Sequence, residues 1–193
     1  MTAAELVAAH GARLLAEAGR VIRAGIGVRR LVDVQAVPAD LAAPGASFVT
    51  LKRGADLRGC IGRIEPTRPL LVDVAENAYA AAFEDPRFPP VRPHELDDLT
   101  VSIAVLAPPT PWVVADEAAL LAGLRPGHDG LILAAGGRRA LFLPSVWEVL
   151  PDPADFVRAL KQKAGWAPRA WPADVEVARF ETVATPTVPL ASA

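Results

Sequence analysis

Apolar positions in the first 25 residues follow a helical repeat. Leu6, Val7, His10, Leu14, Ala18, Val21 and Ile22 recur three or four apart and mark one face. Thr2 and Glu5 stand just ahead of it in the Thr-x-x-Glu spacing of a capping box, which predicts the helix start. Gly11 and Gly19 each weaken such a helix by about 1 kcal/mol relative to alanine, so tertiary packing has to hold it. Gly25 and Gly27 end it. Residues 36–46 are turn-rich. Residues 47–52 and 57–64 are then two strand-like runs separated by Gly54-Ala55-Asp56, a pattern that predicts a hairpin.

Helical spacing returns over residues 68–83, where Leu71, Val74, Ala75, Ala78 and Ala82 share a face. Thr67 is the expected N-cap and Pro69 lies in the first turn. Residues 84–98 carry four prolines and predict an ordered loop. Val101, Ile103 and Val105 alternate with Thr100, Ser102 and Ala104, a strand with one apolar face. A short helix is expected over 116–124. Strands at 130–135 and 138–143 flank Gly136-Gly137, a pair suited to a two-residue hairpin turn. Asp152-Pro153-Ala154-Asp155 opens a further helix that Gly165 stops. A last strand is expected over 175–183, and the patternless tail, residues 186–193, is expected to lack fixed structure. Strand runs mixed with helices predict an α+β fold with a mixed or antiparallel sheet and flanking helices. No repeat or long linker divides the chain, so residues 1–185 read as one domain.

Composition narrows the function classes. A chain of 193 residues buries enough surface to fold without disulfide or metal staples. Its single cysteine excludes an intrachain disulfide and a cysteine-rich zinc site. No uncharged apolar run approaches the ~20 residues of a membrane span. The N-terminal segment mixes Glu5, His10, Arg13 and Glu17 into its apolar residues, unlike a secretory signal. A soluble, cytoplasmic protein is the expectation, with no membrane partner. A net charge of −2 gives no bulk attraction to nucleic acid. Arg20, Arg23, Arg29 and Arg30 read as a solvated helix end.

Candidate chemistry centres on Cys60, in the run Asp-Leu-Arg-Gly-Cys-Ile-Gly-Arg-Ile from Asp56 to Ile64. Strict alternation puts Arg58, Cys60 and Gly62 on one face, with Leu57 and Ile61 toward the core on the other. Arg58 would favour a thiolate at Cys60, and Gly62 would leave the sulfur uncovered for a ligand. Against this, free cysteine is among the most buried residue types, and Gly59 and Gly62 equally suit a bulge or tight packing on the 68–83 helix. Both readings stand. Asp85 and Arg87 flank a rigid bend, as a turn-stabilising pair or with Arg87 lining a pocket for an anionic group. His10, His94 and His128 share no metal spacing. His128 suits a turn before a strand, with a Cys60–His128 pair as the sharper alternative. Phosphate-loop, dinucleotide and nucleophile-elbow motifs are absent.

An ordered set of segments resembles the AMMECR domain family: Phe48–Leu51 (FVTL), Leu57–Gly62 (LRGCIG), Asp85–Val91 (DPRFPPV), Val101–Leu106 (VSIAVL), His128–Leu131 (HDGL), Phe142–Trp147 (FLPSVW) and Lys163–Trp166 (KAGW). Relatives often carry Gln at the place of Ser145 and a small residue at that of Trp147. The resemblance implies a larger and a smaller subdomain, with a cleft near the LRGCIG strand. Its prokaryotic members are named with a Memo-like, dioxygenase-like protein and a radical S-adenosylmethionine protein, which implies such partners. It implies no reaction and no cofactor. One expectation is an enzyme or enzyme component with Cys60 as nucleophile, Arg58 beside it, and Gly59, Gly62, Arg87 and His128 at an unidentified small-molecule substrate. The other is a binding module with LRGCIG as a rigid floor for a ligand or protein. A nucleic-acid role is the weakest, for want of a basic stripe.

Overall fold

The computed structural model describes residues 2–28, 34 and 37–193, so Arg29 and Arg30 of the expected basic helix end lie outside the described residues. The chain forms two compact units, Met1–Leu106 with Val183–Ala193, and Ala107–Thr182. Helices lie with antiparallel sheets in each, the α+β class the sequence predicts.

In the first unit, α1 (Ala3–Gly25) begins at the expected capping box. The Thr2 amide donates to Glu5 Oε2 at 2.8 Å, and the Glu5 amide to Thr2 Oγ1 at 3.2 Å. Pro44–Gly45 (β1) pairs antiparallel with Arg68–Pro69 (β4), which bracket the hairpin β2 (Ser47–Arg53) and β3 (Asp56–Gly62). That pairing moves the next helix: α2 runs Leu70–Phe83 with Pro69 as cap residue, and Thr67 does not cap it. β5 (Leu99–Leu106) follows a 3-10 turn over Pro93–Asp98. Val49, Leu51, Val101, Ile103 and Val105 are buried against the helices, as period-two alternation requires.

The second unit contains β6 (Thr110–Pro111), α3 (Glu117–Gly123), β7 (Gly130–Ala135), β8 (Arg138–Phe142), α4 (Pro153–Lys163) and β9 (Glu176–Phe180), with sheet order β6-β9-β7-β8. Gly136 and Gly137 take φ of 55° and 73° at the β7–β8 turn. Asp152 caps α4 by accepting from the Ala154 and Asp155 amides. Leu131, Leu133 and Val177 pack on Phe156, Val157 and Leu160, and the Trp147 ring stacks on Phe156 at 3.8 Å. Trp147 is thus a core residue.

The expected last strand is broken at Glu181: β10 (Thr182–Ala184) and β11 (Val188–Pro189) both pair with β5 in the first unit's sheet, order β10-β5-β2-β3. The tail departs from the expectation of disorder. Leu190 is buried, and Arg23 donates to the carbonyls of Leu190 at 2.8 Å and Ala193 at 3.0 Å. An apolar anchor and satisfied backbone acceptors hold a segment whose sequence has no periodicity.

Candidate functional site

Cys60 sits in the middle of β3, the edge strand of the first sheet, opposite Thr50. The register shifts along this pair: Leu51 faces Gly59 while Lys52 faces Leu57, so Arg58 is the extra residue of a β-bulge. The bulge breaks the alternation. Leu57 shares its face with Lys52 and Thr50, on the Cys60 side, and is 39% exposed. The expected core-facing Leu57 is corrected by this one-residue insertion.

Arg58 is turned to Glu95 of the Pro93–Asp98 turn, through Nε–Oε1 at 2.8 Å and Nη2–Oε2 at 3.1 Å. Both side chains are nearly buried, 11% and 10% exposed. Glu95 Oε2 also accepts from the Arg92 amide at 2.9 Å. The Arg58 bonds, against the cost of burial, hold the Glu95 carboxyl down to about 2. Arg58 spends its charge here, on Glu95.

Asp85 and Arg87 grip the backbone of Cys60. Asp85 Oδ2 accepts from the Cys60 amide at 2.9 Å, and Arg87 Nη2 donates to the Cys60 carbonyl at 2.9 Å. The two side chains are joined by Nε–Oδ1 at 2.9 Å and Nη2–Oδ2 at 2.7 Å. Asp85 is buried at 2% exposure, and the Arg87 guanidinium keeps its carboxyl far below the usual range. Arg87 is raised in turn, by Asp85 first, with the Cys60 thiol a lesser contributor. The turn-stabilising pair read from the sequence is present, and it also caps the outward edge of β3, satisfying groups that would otherwise template another strand.

Both glycines of the motif are explained by packing. A Cβ on Gly59 would lie 2.1 Å from the Ala81 carbonyl oxygen of α2; one on Gly62 would lie 2.2 Å from the Phe48 ring. Two groups of the motif are left over: Arg58 Nη1, buried without a hydrogen-bond partner, and the Cys60 thiol, half-buried, with the Thr50 hydroxyl donating to Sγ at 3.4 Å. Around it the helix-free face of the sheet presents Phe48, Thr50, Ser102 and Ala104, all partly exposed. His128 belongs to the second unit, exposed in the turn after α3, where its amide bonds the Arg125 carbonyl.

Sequence reasoning missed Glu95 as the partner of Arg58, 37 residues away. It also missed a buried polar cluster beneath β2. Asp73 Oδ2 accepts from the Ser47 amide at 2.8 Å, the Ser47 hydroxyl at 2.7 Å and Asn77 Nδ2 at 2.8 Å. Burial raises the Asp73 carboxyl, outweighing the Ser47 bonds that lower it. The Ser-x-x-Glu-like locality of a cap is missing here: 26 residues separate Ser47 from Asp73. Among the described residues no group of three or more His, Cys, Asp or Glu could hold a metal, and no helix is long and apolar enough to cross a membrane.

Comparison with known proteins gives a consistent result. The family model described as AMMECR1 matches residues 15–185. A protein of Thermotoga maritima is 45% identical over 136 residues, covering 69% of this chain and 73% of its own. One from Methanothermobacter thermautotrophicus is 43% identical over 140 residues, covering 69% and 71%. The crystal structure of an uncharacterized protein from Pyrococcus horikoshii superposes with a TM-score of 0.78 at 31% identity, covering 92% of this chain and 95% of that one.

Proposed function

This chain belongs to the AMMECR1 family, and from that premise and the geometry of β3 we propose that it is a non-catalytic binding module of the cytoplasm, one AMMECR-type domain that takes in the tail, residues 186–193, as well as residues 1–185. The LRGCIG strand is the rigid floor on which a protein partner or small ligand seats. One observation supports this most: the motif's polar and conformational features, Arg58 Nη1 and the Cys60 thiol excepted, are taken up inside the fold. Arg58 is held by Glu95, Gly59 lies on the Ala81 carbonyl, Gly62 lies on Phe48, and the Cys60 backbone is clamped by Asp85 and Arg87. A strand fixed on every side presents an unchanging surface, and preorganisation of that kind lowers the entropic cost of binding.

Memo-like and radical S-adenosylmethionine proteins are the partner classes this reading takes first. Titration calorimetry of the purified chain against each tests it. Association with one of them is expected, changed less than about threefold by Cys60→Ala. Binding to neither removes the partner assignment, and binding abolished by Cys60→Ala in a folded protein overturns the passive floor.

A second reading, Cys60 as a nucleophile, is favoured by the half-buried sulfur and the Thr50 hydroxyl bonded to it. In that reading Arg87 is the cation that interacts with the thiol, its charge shared with Asp85, while Arg58 is turned to Glu95. A covalent adduct at Cys60, trapped by mass spectrometry after incubation with a candidate substrate and absent in Cys60→Ser, would establish it.

A further inference from the structure

Where the chain leaves α3 in the second unit, Arg125 borders a cavity of about 320 Å³ that Arg179 and Glu181, at the end of β9, also line. Its volume is at the lower end of the range of small-molecule pockets, roughly 300–1,000 Å³. Two hydrogen bonds fix one wall to β9: the Ala107 amide donates to the Glu181 carbonyl at 2.9 Å, and the Thr110 hydroxyl to the Arg179 carbonyl at 3.2 Å. Pro108 and Phe180 give the lining an apolar part.

Two arginines and two acids surround this cavity, and they are not paired one to one. Arg125 takes both acids, through Nη2 to Asp129 Oδ1 at 2.5 Å and to Glu181 Oε1 at 2.7 Å. Asp129 is out of solvent and commits its other oxygen to Arg125 as well, Oδ2 accepting from the Arg125 amide at 2.9 Å. Arg179, half-buried, has no carboxylate partner among the described residues. Its guanidinium instead lies over the Trp112 ring, 4.9 Å from the centroid. A guanidinium held by its face keeps the N–H groups of its edge free for a planar acceptor such as a carboxylate. The cavity therefore has a positive pole at Arg179 and a negative one at Glu181, where a single guanidinium serves two acids. An anion alone would be repelled at the second pole and a cation alone at the first. A molecule carrying both charges meets an opposite charge at each.

We propose that this cavity binds a small zwitterion, an amino acid with an apolar side chain. Its carboxylate sits on the Arg179 guanidinium, its ammonium on the Glu181 carboxylate, and its side chain against Pro108 and Phe180. The site lies within the second unit and shares no residue with the Cys60 floor.

The test is titration calorimetry of the full chain with L-leucine. Saturable, one-to-one binding is expected. L-Leucine methyl ester, which lacks the carboxylate, and N-acetyl-L-leucine, which lacks the ammonium, are each expected to bind at least tenfold more weakly. Arg179→Gln and Glu181→Gln are each expected to weaken leucine at least tenfold. Glu181 is 55% exposed, so that variant keeps the test valid if Arg179→Gln fails to fold. No saturable binding of leucine, or binding indifferent to both substitutions, overturns the site. Either derivative binding as tightly as leucine overturns the zwitterionic ligand class.

Discussion

Arg58 and Glu95 meet through two parallel hydrogen bonds with both side chains nearly out of solvent. A buried pair of this kind adds little over an apolar substitute, but losing one partner strands the other's charge. Glu95→Ala is therefore expected to cost about 3 kcal/mol in urea unfolding, and Glu95→Gln less, since the amide still accepts one bond. Equal stability of parent and Glu95→Ala would show that the pair is not formed in solution. Asp73 poses the complementary case. Its Oδ2 takes three hydrogen bonds while Oδ1 is buried without one. An asparagine carbonyl can still accept at the Oδ2 position, while its amide places donors where the buried Oδ1 has no partner, so Asp73→Asn removes the titration at some cost in stability.

Along β3, the edge clamp and the bulge act together. The bulge at Arg58 sends its side chain to Glu95, and the Asp85–Arg87 pair holds the next backbone groups at Cys60. Asp85→Ala removes the acceptor of the Cys60 amide and the anchor of Arg87. A midpoint fall of several degrees is expected, with concentration-dependent association as the edge opens, measurable by light scattering. A monodisperse variant of parental stability would show that the clamp is dispensable.

How far the sequence reveals these elements depends on the range of the contacts that set them. The Thr2–Glu5 box, the Asp152 cap and the Gly136-Gly137 turn involve residues within a few positions of each other, and all are legible from local pattern. The bulge is not, because period-two alternation assumes one residue opposite one; nothing in the order Leu57, Arg58, Gly59 says which is inserted. Glu95, Asp73 and the seat of Leu190 depend on chain segments far apart in sequence. The glycines were half legible: Gly59 and Gly62 signal a close approach, while Ala81 and Phe48 as the approaching groups emerge only from the fold.

For the whole molecule, the carboxyls give stability two opposing pH slopes. Glu95 is held down to about 2 from an ordinary 4.5, so its contribution is complete above about 4.5 and lost as pH falls toward about 2. Asp85, lowered chiefly by Arg87, acts in the same sense. Asp73 is raised above its ordinary 3.8, so its contribution is complete below that value and lost as pH rises through the folded value. In unfolding measured from pH 2 to 7, Glu95→Gln is expected to flatten the acid limb and Asp73→Asn to steepen the net rise. Curves parallel to the parent's would contradict both assignments.

The central claim is that LRGCIG serves as framework and that its thiol is not what the motif exists to hold. The most direct measurement is the urea unfolding free energy of Gly59→Ala beside that of Cys60→Ala. The clash with the Ala81 carbonyl predicts a loss of at least about 3 kcal/mol for the glycine variant, and the half-buried thiol a loss under about 1 kcal/mol. A tolerated alanine at position 59, with a large loss at position 60, would contradict it.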